Sequence, residues 1–243
     1  MKAIILCAGL GTRLGDLTRD RPKVMMPVGG KPLLQHHIEL LRQQGVTDIG
    51  INLHYLPETI TDYFGDGKNF GVRIRYSLEK EILGTAGGVK RFASFLGNEA
   101  FWVFYGDNLF VLKLQTVVDF HREKNALATI VLFEHHEPWT MGVVETDPNG
   151  RVLRFVEKGP RESCPPKARV NGGIYLLEPR VLDYIPDDRP SDFGRDVFPE
   201  MLRRGEPIYA MFPGIYLEDI GTPDRYAKVQ KDFAEGRVKA EGL

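Results

Sequence analysis

Apolar and β-branched residues gather in short runs through the first half of the chain: KAIILC at 2–7, DIGINL at 48–53, VRIRYS at 72–77 and FWVFYG at 101–106. Runs of this length and composition predict strands. Between them the period changes. In LLQHHIELLRQQG (33–45) apolar residues recur at three- and four-residue spacing and a glycine closes the run, which predicts an amphipathic helix. Strands alternating with such helices imply βαβ units and an α/β fold with a mostly parallel, twisted sheet. After residue 125 the pattern shifts. ALATIVLFE, MGVVETD, RVLRFVEK and VNGGIYLLE predict strands with few helices between them, and DPNG (147–150) marks a turn. A more antiparallel second half follows. No repeat, low-complexity tract or linker interrupts the chain, so one domain is expected over 1–235, with halves at 1–110 and 111–235 and a polar tail at 236–243.

A chain of 243 residues can bury a full core. Its formal net charge of -1 gives no field that would recruit nucleic acid or an anionic membrane. Cys7 and Cys164 are the only cysteines, too few for a disulfide framework or a zinc cluster, and the six histidines show no metal-ligand spacing. No apolar run approaches the roughly 20 residues of a membrane span, and residues 2–7 are too short for a signal-peptide core. The expectation is a soluble cytoplasmic enzyme without nucleic-acid or membrane partners.

The first strand runs into LCAGLGTRLGDLTRDRPKVMMPVGGKP (6–32). A Walker loop fails here, because Leu14 stands where its second glycine is required. A dinucleotide fingerprint fails too, lacking both a third glycine at 14 and an acidic residue in INLHY (51–55). What remains still favours phosphate. Gly9 and Gly11 let backbone N–H groups approach an anion, and Thr12 adds a donor. Arg13 offers a planar fork and Lys23 a compact charge behind a proline, an arrangement suited to a polyphosphate.

These motifs resemble the sugar-phosphate nucleotidyltransferases, most closely the mannose and heptose 1-phosphate guanylyltransferases. The likeness is carried by Gly9–Leu14, Leu17-Thr18, Pro22-Lys23 and Lys31-Pro32, then LGTAGG (83–88), GDN (106–108), VEKG (156–159), NGGIY (171–175) and DIGTP (219–223). It implies a Rossmann-like fold whose first half binds nucleotide and whose second half binds sugar phosphate. Longer relatives continue into a left-handed β-helix domain, so acetyl transfer is not expected here. The resemblance adds Ala8, Gly84 and Thr85 as nucleotide-binding residues and leaves a homo-oligomer open.

The implied reaction condenses a nucleoside triphosphate with a sugar 1-phosphate. The attacking phosphate is already ionised, so the site must align two anions and absorb charge, with Mg2+ and a few cations. Arg13 and Lys23 are the catalytic candidates. Asp107 follows the strand at 101–106, at the carboxyl end where open α/β sheets hold ligands; a turn or capping role fits it as well. Asp219 precedes a Thr-Pro that can start a helix, and capping again competes. The resemblance makes this pair the metal ligands. For the sugar phosphate, Glu157 suits hydroxyls and Lys158 the phosphate, pointing to opposite faces of a strand end. Asn171 is expected to bond hydroxyls beside a glycine pair that admits the ring, with Gly142 contributing backbone.

Glu79 occupies the position that lies beside the nucleobase in relatives. A carboxylate only accepts hydrogen bonds, and guanine presents two adjacent donors, whereas uracil and thymine flank one N–H with carbonyls. An exposed loop glutamate is the competing reading. GTP and mannose 1-phosphate are favoured, with UTP or dTTP and glucose 1-phosphate, or a non-catalytic nucleotide-sugar sensor, as alternatives.

Overall fold

The structure, a computed structural model, describes residues 1–187 and 189–238, so the expected polar tail lies outside the described residues from 239 onward. The chain divides into two units. The first combines Met1–Ile82 and Phe104–Lys113 with the chain from Tyr216 on; the second holds Leu83–Val103 and Leu114–Ile215. The boundary expected at 110 takes a different form, because the chain returns to its first unit at the end. The cause is a short ladder. Leu217–Asp219 pairs antiparallel with Asn108–Phe110, Asp219 opposite Asn108, and the Ile220 N–H donates to the Asp107 carbonyl at 3.0 Å.

In the first unit Ala3–Leu6, Asp48–Leu53 and Arg73–Leu78 run parallel, with Leu6 opposite Asn52 and Asn52 opposite Ser77. The helix Leu33–Gln43 buries Leu33, Leu34, His37, Ile38, Leu40 and Leu41, the face its periodicity predicts. It stops two residues before the expected end, where Gly45 takes a left-handed φ of 80° and the Val46 N–H caps the Leu41 carbonyl. The last helix, Pro223–Ala234, starts as the Thr-Pro pair predicts: the Thr222 side chain caps the Arg225 N–H and Pro223 takes the first turn. Val229 on this helix joins Met26, Val28, Leu33, Leu109 and Ile220 in one buried cluster.

The second unit is mostly antiparallel. Ala168–Leu177 pairs with both Ala128–His135 and Gly142–Thr146, and Val152–Glu157 pairs with Gly142–Thr146. Ile208–Met211 runs parallel beside Ala128–His135. The DPNG turn forms as expected: Asp147 Oδ1 accepts from the Asn149 and Arg151 N–H groups at 2.8 Å each. The rings of Tyr175, Phe193 and Phe198 meet at centroid distances of 5.1–5.4 Å in its core. The α/β class is therefore as the pattern predicts. Among the described residues no helix is long and apolar enough to cross a membrane.

Candidate active site

The loop after the first strand is shaped by its own side chains. Ala8 is buried and Gly9 exposed, and a Cβ at Gly9 would meet no atom of the described residues beyond its chain neighbours within 4 Å. The backbone there is open to a ligand. Gly11, at a left-handed φ of 69°, begins a 3-10 segment over Thr12–Thr18 that breaks at Gly15. Leu14, only 2% exposed, anchors it from below, while the Thr18 hydroxyl donates to the Gly11 and Gly15 carbonyls at 3.1 and 3.2 Å. Tyr55 ties the far end through the Thr18 and Arg19 carbonyls. With Leu14 and Thr18 turned in, Thr12 and Arg13 are left exposed.

Lys23 is buried and its Nζ pairs with the Asp107 carboxylate. Asp107 follows Gly106, whose N–H bonds the Leu6 carbonyl at 3.0 Å; a Cβ on Gly106 would sit 2.8 Å from that oxygen. The strand ladder described above then sets Asp219 beside this turn. Asp219 is 7% exposed, accepts the Gly221 N–H at 2.7 Å and pairs with Arg225. Arg13 Nη2 lies 3.1 Å from the position of a Cβ on Gly221. Burial pushes the Asp107 carboxyl up, but the Lys23 charge and hydrogen bond, with Arg13 farther off, more than offset this and hold it below the usual carboxylate range. Asp107 thus stays ionised beside Lys23, while Asp219 has Arg225 as its own cation. Arg225 was not anticipated, and no motif marks it.

These donors fit Mg2+ in kind, being hard carboxylate oxygens at the end of a sheet strand. Among the described residues no group of three or more His, Cys, Asp or Glu gathers for a metal, and two carboxylates suit an ion that keeps water and phosphate oxygens in its shell. Cys7 is no nucleophile: burial pushes its thiol pKa far up.

Glu79 is not an exposed loop residue. It is 3% exposed, one position past the strand Arg73–Leu78, and its N–H extends the ladder to the Leu53 carbonyl at 2.8 Å. Asn52 Nδ2 donates to its Oε1 at 2.8 Å, and His54 Nδ1 donates to its carbonyl at 2.8 Å. Asn52 escaped the motif reading, although a polar side chain inside the apolar run DIGINL was the available signal.

The remaining candidates lie in the second unit. Gly84 and Thr85 are committed to the segment at 191–193. Thr85 N–H and Oγ1 donate to Asp192 Oδ1 at 3.2 and 3.1 Å, and the Ala86 and Gly87 N–H groups donate to the Ser191 carbonyl. Their hydrogen bonds anchor LGTAGG within its own unit. Glu157 ends its strand, but Lys158 lies beyond it with a left-handed φ of 51°, so the opposite-face expectation is corrected. The Lys158 N–H bonds the Met141 carbonyl at 3.0 Å. Gly142 acts by what it lacks: a Cβ there would stand 2.7 Å from Glu157 Oε2 and 2.8 Å from the Phe155 ring, and Gly194 makes the same allowance. Burial raises the Glu157 pKa, while Lys158 and Arg195 pull it back. Arg195, on a π-helical turn over Phe193–Val197, is a second cation there that sequence reading missed. Asn171 also departs from expectation. Its Nδ2 donates to Tyr175 Oη at 2.7 Å and its Oδ1 accepts the Gly173 N–H at 3.0 Å, closing a bulge in which Gly173 has φ 64°. The glycine pair serves that bulge.

Comparisons with known proteins extend this geometry. The family model for nucleotidyl transferases matches residues 2–236. A UTP–glucose-1-phosphate uridylyltransferase of Synechocystis is 41% identical over 95% of this chain and 63% of its own length. A mannose-1-phosphate guanylyltransferase of Mycobacterium tuberculosis is 36% identical over 99% of this chain and 67% of its own. The chain therefore spans about 63–67% of the length of these two relatives. The crystal structure of HddC from Yersinia pseudotuberculosis complexed with GMP-PN superimposes with a TM-score of 0.79 at 28% identity, over 96% of this chain and 99% of that one. The match to the family model over nearly the whole chain makes this protein a member of the nucleotidyl transferase family.

Proposed function

We propose that this protein transfers a nucleotidyl group from a nucleoside triphosphate to a sugar 1-phosphate, releasing pyrophosphate. The observation that carries this reading is the charge cluster of the first unit: Asp107 and Asp219 on paired strands, with Lys23 and Arg13 on the glycine-opened loop. The names of the relatives support it. The loop amides around Gly9 and Gly11, with Ala8, Thr12 and Arg13, hold the triphosphate. Lys23 offsets the charge that develops on departing pyrophosphate. Asp107 and Asp219 would hold Mg2+, which when bound supplies positive charge to the phosphates. In the second unit Lys158, with Arg195, takes the sugar phosphate and Glu157 the hydroxyls.

A phosphate oxygen of the sugar 1-phosphate forms the new bond to the α-phosphorus as the bond to pyrophosphate breaks, its electron pair leaving with pyrophosphate. The nucleophile is ionised near neutral pH, so no general base is required of the chain. GTP is the favoured triphosphate, because Glu79 is a buried acceptor held by Asn52. Mannose 1-phosphate is the favoured sugar, following the name of the Mycobacterium tuberculosis relative. A UTP- and glucose 1-phosphate-dependent reaction is the second reading, favoured by the 41% identity to the Synechocystis protein. A matrix of five nucleoside triphosphates against a panel of sugar 1-phosphates, read by pyrophosphate release, tests both. GTP with mannose 1-phosphate is expected to give the highest kcat/KM; a clear preference for UTP or dTTP would remove the guanine assignment.

A further inference from the structure

Asn52 lies in the strand Asp48–Leu53 with 2% of its surface exposed, between the core residues Ile51 and Leu53. Burying an amide is costly unless both of its ends are hydrogen-bonded. Both are. Oδ1 accepts the Cys7 N–H at 2.7 Å, and Nδ2 donates to Glu79 Oε1 at 2.8 Å. The reversed amide would oppose NH2 to an N–H and oxygen to a carboxylate oxygen, so its two partners dictate its orientation. One side chain thereby ties two functional segments. Cys7 directly precedes Ala8 and Gly9 of the phosphate loop, and Glu79 is the base-reading candidate.

We infer that Asn52 is a positioning residue for nucleotide selectivity: its amide fixes the direction of the Glu79 carboxylate and its placement relative to the phosphate loop. The inference rests on the reading of Glu79 as the guanine-recognising group. A glutamate has three side-chain torsions, and discrimination by an acceptor requires that it meet the donors of the base at one place. The parallel strands on either side of Asn52 hold its backbone, and the Leu53 carbonyl holds the Glu79 N–H. Beyond the backbone, Nδ2 holds the carboxylate through Oε1.

The test is the ratio of kcat/KM for GTP to that for UTP, measured on the full chain for wild type, Asn52→Asp, Asn52→Ala and Glu79→Gln. This ratio does not depend on the fraction of molecules folded, so a variant of low yield remains informative. Asn52→Asp keeps an acceptor for Cys7 but turns a carboxylate toward Glu79; Asn52→Ala removes both bonds. Each is expected to lower the ratio about tenfold, as loss of a hydrogen bond to a charged group implies. If the Asn52 variants slow GTP and UTP equally while Glu79→Gln shifts the ratio, Asn52 is merely structural and the inference fails alone. If Glu79→Gln leaves the ratio unchanged, the Glu79 reading fails and the role of Asn52 falls with it.

Discussion

Lys23 and Asp107 form an ion pair with 11% and 28% of their side chains exposed, so removing either leaves the other without its partner. Replacing Asp107 by Asn removes a hard metal ligand and leaves a largely buried ammonium without its partner. Turnover with Mg2+ should fall at least about 100-fold and stability by roughly 2 kcal/mol. Activity assays and denaturant melts on the variant check both, and near-normal turnover would show the metal assignment to be wrong. His37 is a second consequential residue. It is buried, its Nε2 donates to the Asn108 carbonyl at 2.5 Å, and its ring meets Phe110 at 5.1 Å. Burial lowers its pKa from 6.5 to about 4 against the opposing effect of the Asn108 bond. The unfolded chain therefore binds the proton first as pH falls. His37 favours the folded state fully above pH 6.5, and that contribution is lost progressively toward pH 4. The stability gap between wild type and His37→Asn should narrow across this window; a gap constant with pH would contradict the assignment.

Elements position these residues unequally well from sequence alone. The helix Leu33–Gln43 is legible from its period, and the strands at 3–6, 48–53 and 73–78 from the apolar and β-branched runs that contain them. Asn108–Phe110 and Leu217–Asp219 are three residues each, too short to carry either signal, yet their pairing brings the two aspartates together. The motifs identified Asp107 and Asp219, whereas their adjacency comes only from this long-range ladder. Local signals likewise missed the π-helical turn that carries Arg195 and the bulge that occupies Asn171. The segment LGTAGG yields a direct test of element docking. Gly84 has φ 76°, and a Cβ there would lie 2.5 Å from the Ser191 carbonyl oxygen and 2.9 Å from its carbon. Backbone cannot step aside as a flexible side chain does. Gly84→Ala should cost about 3 kcal/mol, combining left-handed strain with overpacking. Thermal unfolding close to wild type would mean the segment docks differently.

On the scale of the whole molecule, the proposed labour divides between units: triphosphate and metal groups in the first, sugar-phosphate groups in the second. Isothermal titration calorimetry with separate ligands addresses that division. Lys158→Ala should weaken sugar 1-phosphate binding about tenfold or more and leave nucleoside triphosphate binding unchanged; a loss of both would contradict it. The claim on which everything else depends is the bond that breaks. Its most direct measurement uses GTP labelled at the α-phosphorus, incubated with the full chain, Mg2+ and mannose 1-phosphate, with both products resolved. Transfer of the label into a nucleotide-sugar with one equivalent of pyrophosphate is the predicted result. Label retained in GTP or released as free GDP, with the same outcome for the other triphosphates and sugar 1-phosphates, would contradict nucleotidyl transfer by this protein.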